Sequence, residues 1–167
     1  RSIERYLVVA RHSGADPVLV LNKADLLRTT DDVVAEAREV IGDTPVLTVS
    51  TKSGMGMRAL DTFLVRGRTV ALIGPSGVGK SSIVNAVCGR KISIVSDKPQ
   101  TTRHRVMGVH TTTGAQIVFV DTPGLHKAVS ALGERVNATA LDSTDGVDVP
   151  CLVLDATKAF GKGDRWA

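Results

Sequence analysis

Aromatic residues are scarce: three Phe, one Tyr and one Trp in 167 residues. That argues against a base-stacking nucleic-acid module, which needs aromatic platforms. Cysteine is nearly absent. Cys88 and Cys151 are too few and too far apart in sequence for a zinc site or a disulfide framework. Both sit in apolar runs, so the expectation is two reduced core thiols, as suits a cytoplasmic protein. No apolar run reaches the roughly 18 residues that a membrane span needs, and no signal peptide opens the chain, so no membrane partner is expected. Neither sign of charge dominates: 21 basic residues face 17 acidic ones, a net charge of +4. That balance is compatible with an RNA-facing surface and does not establish one. What is abundant is aliphatic. At 43% hydrophobic residues the chain can bury a core, and its length suits one domain, expected to span residues 1–167.

Six short aliphatic runs stand out, at residues 18–21, 46–49, 70–73, 106–110, 116–120 and 149–154. Several are continuous rather than alternating, as in strands buried on both faces. Helical patterns lie between them, over Asp31–Ile41, 57–65, Lys80–Cys88 and 131–141. Strands alternating with helices predict an α/β fold, a mostly parallel sheet with helices on both faces. Pro150 lacks a ladder donor and is expected to open its strand. The two ends of the chain fit together. Read Ala167 into Arg1, and Trp166, Ile3, Leu7 and Ala10 fall on one helical stripe. The simplest inference is one helix cut in two.

The strongest chemical signal is Gly74-Pro-Ser-Gly-Val-Gly-Lys80-Ser81, between a strand and a helix. This is the phosphate-binding loop pattern in its strand–loop–helix context. Backbone N–H groups through Ser76, Gly77, Val78, Gly79, Lys80, Ser81 and Ser82 would converge on phosphates. Lys80 adds a point charge, and the Ser81 hydroxyl is a ligand for Mg²⁺. A second signal, Asp121-Thr-Pro-Gly124, ends the fifth run. Asp121 can hold Mg²⁺ through water, and the Gly124 N–H can reach a γ-phosphate. Alone, this tetrapeptide is also a good turn sequence.

A third signal, Asn22-Lys-Ala-Asp25, ends the first run. The Asp25 carboxylate can accept two hydrogen bonds from guanine, a donor pair that adenine lacks. Asn22 would tie this loop to its neighbours, and the Lys23 stem would cover a base face. Ser50, Thr51 and Lys52 follow the second run and would offer a backbone N–H to the guanine oxygen. Thr101 and Thr102 lie between the phosphate loop and Asp121; Thr102 is the favoured third member of a Mg²⁺ shell with Ser81 and Asp121.

Together these elements are the nucleotide boxes of a GTPase, and the resemblance covers nearly the whole chain. Their order is that of a circular permutation, because Asn22–Asp25 and Ser50–Lys52 precede the phosphate loop. Residues 1–90 resemble the ribosome-small-subunit-dependent GTPase A family, through Glu4-Arg-Tyr-Leu-Val-Val-Ala10, Pro17-Val-Leu-Val-Leu-Asn-Lys-Ala-Asp-Leu-Leu27 and the stretch around the phosphate loop. From about residue 91 the wording resembles the Era family instead, as in Lys91-Ile-Ser-Ile-Val-Ser-Asp-Lys-Pro-Gln-Thr-Thr-Arg-His-Arg-Val106 and Ile117-Val-Phe-Val-Asp-Thr-Pro-Gly124. The sequence reads as a mosaic that changes near Gly89.

The resemblance implies a P-loop three-layer sandwich with a six-stranded sheet and one antiparallel edge strand, a circularly permuted G domain. It implies GTP and GDP as ligands, Mg²⁺, slow hydrolysis with Lys80, Thr102 and Gly124 at the reacting phosphate, and a monomeric switch acting on the small ribosomal subunit or its rRNA. K⁺ assistance is also implied, although Era-like loops carry asparagine where this chain has Gly77. Leu125 stands where a water-orienting glutamine is usual, with His126 adjacent. Rival readings are an ATP-using enzyme with the same loop and a guanine-nucleotide-binding module without hydrolysis.

Overall fold

The computed structural model describes residues 14–89 and 146–158 in full, and the backbone of residues 106–111 and 116–121. The expectations for the split helix, for the helix at 131–141, and for Thr101, Thr102, Gly124, Leu125 and His126 lie outside the described residues.

In chain order the elements are β1 (Val18–Asn22), α1 (Asp31–Ile41), β2 (Val46–Thr48), β3 (Thr69–Ile73), α2 (Lys80–Cys88), β4 (Val106–Thr111), β5 (Gln116–Asp121) and β6 (Val149–Asp155). The strands lie side by side in the order β2-β1-β6-β3-β5-β4. The β1–β2, β1–β6, β3–β6 and β3–β5 pairs are parallel, and β4 runs antiparallel along β5. Parallel pairing brings the C-terminal ends of β1, β2, β3, β5 and β6 to one edge of the sheet.

The continuous aliphatic runs are explained by burial on both faces. All five residues of β1 are buried. Val18 and Val20 enter one core, with Val70, Leu72, Val149, Cys151 and Val153. Leu19 and Leu21 enter the other, with Ile73, Leu152 and Leu154. Side chains alternate across a strand, so a strand with helices on both faces needs aliphatic residues at every position. Each such side chain contributes roughly 1.5–3 kcal/mol on full burial.

The first core is roofed by Ile83 and Val84 of α2 and by Leu60. The second is roofed by Ala37 and Ile41 of α1. Asp31 and Asp32 in the first turn of α1 suit its N-terminal dipole, and Gly42 at φ 62° ends it. Cys151 is buried between the layers, which pushes its thiol pKa up to about 12. Both cysteines are free.

The helix read over residues 57–65 is a shorter 3-10 helix, Met57–Thr62. Leu60 is buried and Met57 packs beside it, but the backbone bonds span three residues, as from the Phe63 N–H to the Leu60 carbonyl at 2.9 Å, and such tight turns stay short. Pro150 does not open its strand but is second in β6, opposite Ala71 of β3. The proline is tolerated because pairing with β1 starts only at the next residue, Cys151. No helix among the described residues is long and apolar enough to cross a membrane.

Candidate nucleotide site at the ends of the parallel strands

The loop after β3 folds back on itself around Lys80. This lysine is almost fully buried, and its Nζ donates to the carbonyl oxygens of Gly74 and Pro75, 3.0 Å each. Two glycines are needed for contact as well as for backbone angle. At Gly74 (φ +141°) a Cβ would lie 2.2 Å from the Val153 carbonyl oxygen of β6. At Gly79 (φ +98°) it would lie 2.2 Å from Asn22 Nδ2. Val78 points its side chain into the core, so it can serve a ligand only through its backbone. Ser81 and Ser82, both partly buried, stand in the first turn of α2.

The loop after β1 meets this one directly. Asn22 is buried, and its Nδ2 donates to the Val78 carbonyl oxygen at 2.8 Å. Its Oδ1 accepts the Thr51 N–H at 3.4 Å, and its own carbonyl accepts the Ala156 N–H at 2.8 Å. One residue thus joins the loops after β1, β2, β3 and β6. Asp25 Oδ1 accepts the Ser50 hydroxyl at 2.6 Å, and Ser50 Oγ in turn accepts the Ser53 N–H at 3.1 Å. Thr51 is half-buried beside it and Lys52 is exposed. Asp121 closes β5 opposite Leu72, two residues before Gly74, and so lies at the same edge.

Sequence reasoning missed Asp155 and Thr157. Asp155 ends β6 in register with Asn22. Its Oδ2 accepts Lys23 Nζ at 2.7 Å, and its Oδ1 accepts the Thr157 N–H at 3.0 Å and hydroxyl at 2.6 Å. Burial pushes this carboxyl's pKa up. The hydrogen bonds from Lys23 and Thr157 and the lysine charge outweigh burial and hold it below the ordinary 3.8. Lys23 is in the left-handed region at φ 65°, and no other described residue except glycine has positive φ. The signal that flagged Asp121, an aspartate closing a continuous aliphatic run, is equally present at Asp155. Asp155 lacked a motif around it.

The model of the RsgA GTPase family matches residues 1–130. The chain belongs to the RsgA GTPase family. This RsgA-family chain also shares 54% identity over 97 residues with the GTPase Era of Thermosipho melanesiensis. It is 49% identical over 101 residues to the Era of Thermotoga maritima. These matches take in 58% and 60% of this chain and only 32% and 34% of the relatives, so the chain spans about a third of their length.

Among solved structures, Era in complex with MgGDPNP and a piece of 16S ribosomal RNA superposes at TM-score 0.55 with 39% identity, over 59% of this chain and 33% of that one. A variant Era of Aquifex aeolicus bound to GDP and AlF4⁻ gives 0.54 and 39%, over 58% of this chain and 33% of that one. The chain combines RsgA-like and Era-like features. A contiguous stretch of 97 residues in this chain necessarily includes the phosphate loop, as does the family match, so the two likenesses overlap there.

Proposed function

We propose that residues 1–167 form a circularly permuted G domain that binds guanine nucleotide with Mg²⁺ and hydrolyses GTP slowly, as a switch. The observation that carries this reading is the Asn22 Nδ2 to Val78 bond of 2.8 Å. It locks the loop that would read the base against the loop that would hold the phosphates. In an open α/β sheet, ligands sit outside the carboxyl ends of the strands, where these loops meet. The backbone order supports permutation, because β1 and β2 with their loops precede β3 in the chain.

The residues present fit the ligand. A buried ammonium at Lys80 and a loop too tight for a Cβ at Gly74 and Gly79 suit a polyanion held by backbone N–H groups. Asp25, fixed by Ser50, would accept from the guanine N–H groups, and the loop of Ser50, Thr51 and Lys52 would offer a backbone N–H to its oxygen. Among the described residues no three His, Cys, Asp or Glu side chains cluster. By the resemblance, Mg²⁺ would take Ser81, Thr102 and, through water, Asp121, together with phosphate oxygens. When bound, that ion supplies charge to a phosphoryl group in transfer. Lys80 would add a second positive charge at the phosphates, and the Gly124 N–H would complete the contact. Leu125 offers no polar group to orient water, which supports slow hydrolysis.

One Era structure contains 16S ribosomal RNA; by that likeness we extend the reading to a factor acting on the small ribosomal subunit or its rRNA. The first test is displacement of a fluorescent guanine nucleotide by GTP, GDP and ATP, followed by phosphate release in K⁺ and in Na⁺. GTP and GDP should compete, ATP should not, and Lys80→Ala should abolish release. Equal competition by ATP overturns the guanine assignment. Wild type releasing no more phosphate than Lys80→Ala reduces the protein to a binding module.

A further inference from the structure

β6 supports both loops of the site from below. Its Val153 carbonyl lies under Gly74, and two residues later Asp155 reaches Lys23. The Asp155 side chain is 5% exposed, whereas that of Lys23 is 37% exposed. The acid is therefore fixed in the sheet and the base is half in solvent. A free lysine side chain on a loop samples many rotamers. Here three donors lock the carboxylate: Lys23 Nζ, the Thr157 N–H and the Thr157 hydroxyl. The carboxylate in turn locks the ammonium at the end of the lysine stem. Lys23 sits between Asn22, which ties the loops, and Asp25, which faces the base in the reading above.

We propose that Asp155 is a positioning residue for the nucleotide: it anchors the Lys23 ammonium so that the lysine stem stays flat across the face of a bound base. This rests on the reading of Asn22–Asp25 as the base-side loop. It adds a residue that touches no ligand and acts through another. The stem covers any purine alike, so Asp155 sets nucleotide affinity, while the choice between guanine and adenine stays with Asp25.

The test is a double-mutant cycle on GDP affinity with Asp155→Asn and Lys23→Met, with Thr157→Val as a milder variant. Hydrogen bonds to charged groups are the stronger ones, so Asp155→Asn should weaken GDP about tenfold. It should weaken GTP by the same factor and leave the preference for guanine over adenine nucleotides unchanged. In the Lys23→Met background the same change should have no further effect, which a general loss of structure would not reproduce. Thr157→Val, which removes one donor to the carboxylate, should weaken GDP by a smaller factor if Asp155→Asn proves too unstable to measure. Additive effects of Asp155→Asn and Lys23→Met, or affinity within twofold of wild type for both Asp155→Asn and Thr157→Val, overturn the inference and leave the site reading standing. Wild type with no affinity for GDP overturns both.

Discussion

At the scale of single residues, the phosphate loop separates two kinds of glycine. Gly77 has φ +79° with nothing within 4 Å of a built Cβ, whereas a Cβ at Gly79 meets Asn22 Nδ2. Gly77→Ala should cost only the left-handed backbone penalty, about 1–2 kcal/mol. Gly79→Ala should cost that and also push Asn22 off Val78, so urea unfolding should rank it clearly lower. Equal stability of the two would mean that Asn22 can move without loss. Asp155 yields a pH prediction. Its folded pKa lies below the ordinary 3.8, so its stabilisation is complete above that value and is lost as pH falls through the lower one. The deficit of Asp155→Asn in urea unfolding should therefore match at pH of about 7 and about 5, and shrink only below about 4. A deficit that changes between the two higher values would point to another titrating group. Asn22, Asp25 and Ser50 could be singled out from sequence because each closes a run of aliphatic residues or lies within a few positions of one. Their mutual bonds could not, since Ser50 and Asp25 are 25 residues apart and Asn22 and Val78 are 56.

At the scale of elements, the pattern was most legible where burial is complete. β1, β3 and β6 are apolar at almost every position because both their faces are covered. α1 is bounded by sequence alone, Asp31 to Ile41, because its acidic start and the Gly42 stop are local chemistry, and α2 over Lys80–Cys88 is legible because the phosphate loop leads into it. The segment after β2 is not, since Met57, Leu60 and Leu64, at three- and four-residue spacing, look helical without saying which kind of helix. Packing predicts which side chains matter. Ile83 of α2 is 1% exposed in the first core, and Val40 of α1 is 39% exposed. Ile83→Ala should cost about 2–5 kcal/mol in chemical denaturation. Val40→Ala should stay within about 0.5 kcal/mol. A large effect at Val40 would mean that this face of α1 is covered in solution.

At the scale of the whole molecule, the site is shared by loops from four strands, so a bound nucleotide should stabilise the fold as a unit. With GDP at 100 times its Kd the stabilisation is about 2.7 kcal/mol. For a chain of this size that raises the melting temperature by roughly 5–10 °C. ATP should give little shift, and Lys80→Ala should remove most of the GDP shift. A thermal shift with GDP that survives Lys80→Ala would place the nucleotide elsewhere. The combination of RsgA-like and Era-like features was readable as wording in the chain. The extent of their overlap was not, because both likenesses pass through the same phosphate loop.

The position of β6 also bears on how the chain folds. It is the strand that joins β1 to β3, yet it comes last among the described strands, and its Asp155 lies 132 residues from the Lys23 it holds. β1 can pair locally with β2, but its central ladder must wait for a distant segment. Contacts of such long sequence separation slow folding, because a large loop must close before they form. The middle of the sheet should therefore be completed last, which would leave the inner edges of β1 and β3 open to pairing with another chain until then.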